Sequence, residues 1–140
     1  DEPRQTGAAT QGALMTPDDF TRAFAYAFGD LDAGALADLI APEGTVQTLT
    51  GIWAEGREAA RQAFEAEATG IFSRARMVTG KGSVQPLAAD LALLRQRFVV
   101  TGAIEESGAE MPRFGAMLVA VLHSDGLNWR AVSLTFTLLA

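Results

Sequence analysis

The stretch "TLTGIWAEGREAARQAFEAE", residues 48–67, decides the fold. Its first part is rich in β-branched and aromatic residues, which predicts extended chain, and Gly51 lets that chain turn. From Gly56 the apolar residues recur at the spacing of a helix, which Gly70 ends. Arg57 and Glu58 are interpreted as the solvated first turn of this helix, because the stretch lacks the glycines and the Lys-Ser/Thr pair of a phosphate loop. The stretch therefore predicts strand, turn and helix.

Periodicity extends this pattern in both directions. Thr16, followed by a proline and two aspartates, predicts a helix start, and Asp30 is expected to cap a second helix. After the third helix, turn signals separate long runs of strand-forming residues, as in an antiparallel meander. The predicted helices cover residues 17–28, 31–40 and 57–69, and the predicted strands cover residues 45–50, 75–87, 91–104, 113–123 and 128–140.

These elements predict an α+β fold: three N-terminal helices packed on a strongly curved, mixed or antiparallel β-sheet that forms a cone. Residues 1–15 are polar, small and aperiodic, which favours a flexible N-terminal arm. Residues 16–140 are expected to form a single domain, since the chain has only 140 residues. Apolar residues alternate on both faces of the predicted strands, and three helices can cover only one face. A homodimer formed through the sheet is therefore predicted.

Composition limits the possible functions. A net charge of -6 argues against nucleic acid or an anionic membrane as partner, and no apolar run reaches the ~20 residues that span a bilayer. The chain contains no cysteine and a single histidine, His123, so thiolate catalysis and zinc-thiolate sites are excluded. No metal site or cofactor is predicted. The chain begins at Asp1, which leaves either a cytoplasmic protein or a periplasmic or secreted one that has lost a signal peptide.

Four stretches together resemble the nuclear transport factor 2-like superfamily, and in particular its SnoaL-like branch of the SgcJ/EcaC type. They carry a Gly-Asp pair at 29–30, an Ala-Pro-Glu-Gly break at 41–44, a Gly-Arg-Glu-Ala helix start at 56–59, and a final strand that opens with Trp129 and Arg130. The stretches are "AFAYAFGDLDAGALADLIAPEGTV", "GIWAEGREAARQAFEAE", "DLALLRQRFVV" and "LHSDGLNWRAVSLTFT". The resemblance implies the cone fold, with the function located in a cavity inside it.

The resemblance implies function only loosely, because the superfamily includes isomerases, dehydratases, cyclases and proteins that only bind a ligand. Its active members place an acid or base in the cavity, often a histidine in the last strand. In this chain that position corresponds to Thr135, which cannot act as a base near neutral pH. His123 is expected in solvent beside a turn, so no catalytic residue is predicted.

The leading hypothesis is therefore a protein that binds a small apolar organic molecule in the cone without catalytic machinery. One alternative is an isomerase, dehydratase or cyclase acting on an apolar carbonyl compound; another is a dimeric interaction module whose cavity is filled by its own side chains. The residues predicted to line the ligand site are Phe24, Phe28, Thr48, Trp53, Met117, Trp129 and Thr135.

Two features remain open at this level. Trp53 either lines the mouth of the cavity or packs under the third helix. Arg95 and Arg97 share one face of a strand, with Gln96 on the other. They point either into the cavity, toward an acidic ligand, or outward at the dimer surface, which the cost of burying unpaired charge favours.

Overall fold

The computed structural model describes residues 16–139, so the predicted arm at residues 1–15 lies outside the described residues. None of the helices within residues 16–139 is long and apolar enough to cross a bilayer. The helices are α1 (Pro17–Gly29), α2 (Ala33–Asp38) and α3 (Arg57–Ala68), and the strands are β1 (Ile40–Gln47), β2 (Trp53–Glu55), β3 (Arg76–Ala88), β4 (Leu91–Thr101), β5 (Phe114–Ser124) and β6 (Trp129–Leu139).

The six strands form one mixed sheet in the order β2-β1-β6-β5-β4-β3. Strands β3 to β6 pair as an antiparallel meander, while β1 returns parallel to β6 and carries β2 at the sheet edge. The predicted α+β class, with three helices on a curved mixed sheet, is confirmed.

Helix α1 begins where its sequence predicts. The Asp19 carboxylate accepts hydrogen bonds from the Thr16 backbone N–H at 3.1 Å and from its hydroxyl at 2.9 Å. The carboxylate thereby satisfies the Thr16 backbone N–H, one arm of a capping box at the start of the helix. Phe20, Phe24 and Phe28 follow at helical spacing and are all buried, so this stripe joins α1 to the sheet.

The second helix and the first strand differ from the prediction. Asp32, not Asp30, caps α2, by accepting the Ala35 N–H at 2.9 Å. Leu31 before it adopts a φ of 57°, a conformation uncommon for a residue with a side chain. That break moves the start of α2 two residues along the chain. Helix α2 then ends at Asp38, and β1 begins at Ile40, because pairing with β6 outweighs the weak local preference of residues 40–44.

The opening stretch has the predicted turn and helix, but residues 48–50, predicted as strand, lie in the turn between β1 and β2. Thr48 and Ile52 pair across the turn, with the Thr48 hydroxyl accepting the Ile52 N–H at 3.1 Å. Gly56 has a φ of +95°, which a side chain would strain, and lets the chain enter α3. Arg57 donates its Nε–H to the Ile40 carbonyl at 2.8 Å. It therefore joins α3 to the start of β1.

The interior of the cone is a cluster of aromatic rings. Phe24 lies 5.4 Å from Phe136 and 6.1 Å from Phe98, ring centre to ring centre. Phe28 contacts Phe72 at 5.4 Å and Phe136 at 6.4 Å. These separations are those of packed aromatic pairs. Phenylalanine side chains thus occupy the space between α1 and the sheet.

The other surface of the sheet, here called the open face, has none of the helices of residues 16–139 against it. Alternate residues of the central strands point there, and most of its apolar side chains are only partly buried. The open face of β4, β5 and β6 carries Leu93, Arg95, Arg97, Val99, Met117, Val119, Val121, Ser133, Thr135 and Thr137.

Candidate functional site

A groove with a volume of about 830 Å³ runs between α1 and the strands β3 and β4. The groove lies beside the aromatic interior of the cone. Ligand sites in proteins commonly measure about 300–1,000 Å³. Both apolar and polar side chains line its walls. The groove is lined by Asp18, Thr21, Arg22, Ala25, Tyr26, Thr79, Gly82, Ser83, Val84, Leu94 and Gln96.

One wall of the groove is a second stripe of α1. Asp18, Thr21, Arg22, Ala25 and Tyr26 recur at the spacing of a helix, next to the phenylalanine stripe. Their side chains are small or point into solvent; that of Tyr26 is 73% exposed. This wall therefore leaves room where the phenylalanine stripe leaves none.

Gln96 forms the floor of the groove and is only 5% exposed. Its Nε2 donates to the carbonyl oxygens of Gly80 at 2.8 Å, Lys81 at 3.1 Å and Arg97 at 3.0 Å. The pairing of β3 with β4 shifts register between Thr79 and Gly82 at the same place. The amide thus stabilises an irregularity of β3 that shapes the groove.

The charges at the rim of the groove are exposed. Arg22 is directed to Asp19, with Nη1 3.1 Å from Oδ1. The hydrogen bond from the Thr16 backbone N–H is the main reason that the pKa of Asp19 lies below its ordinary value. Asp18 and Tyr26 are exposed as well. None of the groove's titratable side chains is removed from water, as a general acid or base in an enzyme commonly is.

The structure does not bring the seven predicted ligand residues together. Phe24 and Phe28 belong to the aromatic interior, and the cavity beside Phe28 measures only about 10 Å³. Thr48 is buried and uses its hydroxyl within its own turn. Trp129 is half-buried and packs at the edge of the core. The remaining three, Met117, Thr135 and Trp53, lie on the open face.

Trp53 lies at the edge of the sheet and not in the core. It is 57% exposed on the short edge strand β2 and donates its indole N–H to Glu55 at 3.0 Å. The prediction that it packs under α3 is wrong, because its β2 neighbour Ala54 is the residue that faces the core. The ligand assignment of the seven residues stays a prediction, and the groove includes none of them.

The two arginines of β4 and the histidine considered in the sequence analysis lie on the surface. Arg95 and Arg97 are exposed on the open face, the orientation that the cost of buried charge favours. His123 is exposed at the end of β5, with Nε2 3.2 Å from the Asp90 carboxylate. No group of three potential metal ligands occurs within residues 16–139.

Glu67 is a buried carboxylate that the sequence analysis did not single out. It is 6% exposed and accepts hydrogen bonds from the backbone N–H of Thr50, at 3.2 Å, and from its hydroxyl. It thereby ties the end of α3 to the turn between β1 and β2. Glu67 is an acidic residue at a position where the helical pattern expects an apolar one, three residues after Phe64. That mismatch is a signal in the sequence that could have identified it.

Comparison with solved structures relates this architecture to known proteins. No protein-family model and no curated protein matches the chain. An uncharacterised protein with a cystatin-like fold from Caulobacter vibrioides is similar at a TM-score of 0.79 and 19% identity, over 88% of this chain and 87% of that one. A nuclear transport factor 2-like protein with a cystatin-like fold from Novosphingobium aromaticivorans is similar at 0.70 and 20% identity, over 86% and 78%. The chain has a cystatin-like, nuclear transport factor 2-like fold.

A third similar structure carries an enzyme name. It is a provisionally named scytalone dehydratase from Novosphingobium aromaticivorans, with a TM-score of 0.71 and 13% identity over 88% of this chain and 81% of that one. At such identity the likeness concerns the fold alone. The groove beside α1, with a volume of about 830 Å³, is a concave surface of ligand size.

Proposed function

We propose that this protein binds a small, largely apolar organic molecule in the groove between α1, β3 and β4 and does not transform it. The observation that carries the proposal is a groove of about 830 Å³ beside an interior already filled with aromatic rings. Ala25, Val84 and Leu94 offer apolar contact, and Gln96 and Thr21 offer hydrogen bonds. Apolar contacts combined with placed hydrogen-bonding groups are typical of ligand sites.

We also propose that the chain belongs to the SnoaL-like branch of the nuclear transport factor 2-like superfamily. The order and spacing of its glycine and tryptophan motifs support this assignment. Two of these motifs have clear local roles in the structure: Gly56 has a positive φ at the entry to α3, and the Gly29-Asp30 pair ends α1. The resemblance sets Thr135 where relatives often carry a histidine, but Thr135 lies on the open face, outside the groove, so that match carries no argument about catalysis in the groove.

A groove-filling substitution tests the binding proposal. Val84→Trp places an indole in the groove, whereas the matched control Gln85→Trp puts the same group on the neighbouring residue, whose strand partner Leu93 lies on the open face. Native mass spectrometry of freshly purified proteins, together with fluorescence titration with 2-naphthol, measures occupancy. We expect Val84→Trp to lose binding and Gln85→Trp to retain it. Equal binding by both variants would refute the groove as the site.

The enzymatic alternative rests on Glu67. A buried carboxylate beside apolar side chains can serve as an acid or base, and a similar structure is provisionally named a dehydratase. However, the carboxylate already accepts two hydrogen bonds from Thr50, and the adjoining cavity of about 10 Å³ does not hold a substrate. These contacts favour a structural role for Glu67, and binding in the groove remains the better-supported function.

We also propose that a second copy of the chain covers the open face. Charge complementarity supports this occupant: Arg95 and Arg97 stand on β4, while Glu55 stands on the same face at the opposite side of the sheet. Within residues 16–139, neither arginine makes an ion pair. A twofold axis along the strands between β5 and β6 would bring β4 of one copy over β1 of the other. The arginines would then approach the partner's acidic edge.

Sedimentation velocity at micromolar concentration tests this dimer. The molar mass obtained for the wild-type protein should be twice the 14.8 kDa of one chain. Val119→Asp puts a charge at the centre of the open face and should yield a monomer, because an unpaired buried carboxylate is costly. Thr69→Asp, at an exposed helix end, is the control and should remain dimeric. A monomeric wild-type protein would contradict the proposal.

A further inference from the structure

The orientation of the Gln96 amide is fixed by its surroundings. Three backbone carbonyl oxygens, those of Gly80, Lys81 and Arg97, lie within 3.1 Å of Nε2. Only the nitrogen of an amide can donate to carbonyl groups. If the amide were flipped, its oxygen would face the three carbonyl oxygens and repel them. The carbonyl oxygen, Oε1, must therefore point the other way, toward α1 and the groove.

This buried oxygen accepts little hydrogen bonding from the protein. Among residues 16–139, its one hydrogen-bond partner is the Thr21 hydroxyl, at 3.4 Å. An O–H···O hydrogen bond usually measures about 2.5–3.0 Å, so this contact is weak. A carbonyl oxygen can accept two hydrogen bonds, and a buried acceptor without them is unfavourable. Gln96 Oε1 thus offers unused accepting capacity at the floor of the groove.

The backbone of β3 makes space for this arrangement. A Cβ at Gly82 would lie 1.8 Å from Gln96 Oε1 and 2.6 Å from its Cδ. Any other residue there would displace the amide. The register shift between Thr79 and Gly82 supplies two of the three carbonyls that hold Nε2, those of Gly80 and Lys81. Strand β3 is therefore bent around the amide, so the direction of Oε1 is built into the fold.

We infer that the ligand of this groove is a neutral molecule with a hydroxyl or N–H group, which it donates to Gln96 Oε1 while its apolar body lies between Ala25 and Val84. The inference rests on the proposed binding function and names the class of ligand. An anionic head group is disfavoured, because the carbonyl oxygen would oppose it and Arg22 is already paired with Asp19. A cation would lose its hydration against a neutral amide.

A matched pair of probes tests this class. 2-Naphthol and 2-methoxynaphthalene share the same rings, but only the first can donate a hydrogen bond. We expect 2-naphthol to shift the amide NMR signals of Thr21 and Gly82 in the full chain. It should bind roughly tenfold more tightly than the methyl ether, the ratio expected for one hydrogen bond to a buried acceptor. Equal affinities with shifts at the same signals would overturn the inference and leave groove binding intact. No shift with either probe would overturn both.

Two variants separate Gln96 from its neighbour. Thr21→Val removes the hydroxyl but keeps the shape, so Oε1 becomes fully available and the preference for 2-naphthol should persist or grow. Thr69→Val, at the exposed end of α3 and outside the groove, is the control and should leave the preference unchanged. Loss of preference in Thr21→Val alone would assign recognition to the Thr21 hydroxyl and overturn the inference. Gln96→Met, checked for folding by its NMR spectrum, should abolish the preference.

Discussion

The two sides of helix α1 show how one helix can both close a core and leave a site open. On one side, Phe20, Phe24 and Phe28 fill the interior of the cone with rings. On the other side, the small side chains of Thr21 and Ala25 leave a groove of about 830 Å³ between α1 and the strands β3 and β4. The positions differ by one residue along the chain. Side-chain size at helical spacing thus decides which side is packed and which can accept a ligand.

The largest expected effect comes from opening the packed side. Phe24→Ala should lower the free energy of unfolding by about 3–5 kcal/mol, because it removes a buried ring and leaves a cavity. Tyr26→Ala removes a ring of similar size from the groove side, where 73% of the residue is exposed. Its cost should stay within about 0.5 kcal/mol. Urea denaturation followed by circular dichroism measures both, and equal losses would remove the distinction between the two sides.

A smaller effect should follow from disturbing the groove floor. Gly82→Ala should cost about 1–3 kcal/mol, because its new methyl group collides with the Gln96 side chain. Gly80→Ala is the matched control in the same strand: its Cβ would meet nothing closer than the Arg97 carbonyl oxygen at 3.4 Å. Chemical denaturation should show little change for Gly80→Ala. Similar losses for both would mean that Gln96 does not shape this part of β3.

The smallest effect concerns the cap that begins both stripes. Asp19→Asn should cost roughly 0.5–1 kcal/mol near neutral pH, since it weakens the capping box with Thr16. The folded-state pKa of Asp19 lies below its ordinary value, so its stabilisation is present above about pH 4 and is lost as the pH falls through the folded value. Thermal melts from pH 7 to pH 2.5 should therefore converge for the wild type and Asp19→Asn.

Asp18→Asn is the control for that titration. Asp18 shares the positive end of the helix but accepts no hydrogen bond in the capping box. It should cost less than Asp19→Asn at pH 7. An equal cost for the two variants would point to the general charge of the first turn rather than to the cap.

The sequence predicted the elements whose signals are local and strong. The α1 stripe, the start of α3 after Gly56 and the strands of the meander were all found, because periodicity and glycine act within a few residues. The start of β1 at Ile40 was missed, since pairing with β6, about 90 residues away in the chain, determines it. The positive φ at residue 31 was also missed, because the residue there is a leucine and not the glycine that usually indicates such a conformation.

The candidate site was less predictable than the fold. Its α1 wall contains Asp18, Thr21 and Ala25. These residues share a helix face, but an acid, a hydroxyl and a methyl group form no pattern that indicates a ligand site. A clearer signal was Gln96, a single amide between Leu94 and Phe98 on the buried row of β4. Its role still depends on Gly80 and Gly82 of the neighbouring strand. Only the register of the sheet brings these residues together.

The most direct test asks which side of α1 a ligand contacts. Intermolecular nuclear Overhauser effects between bound 2-naphthol and the protein's methyl and ring protons measure this. We predict contacts from the ligand to the methyl groups of Ala25 and Val84. Contacts to the rings of Phe24 and Phe136 would place the ligand inside the cone and contradict the central claim that α1 packs on one side and binds on the other.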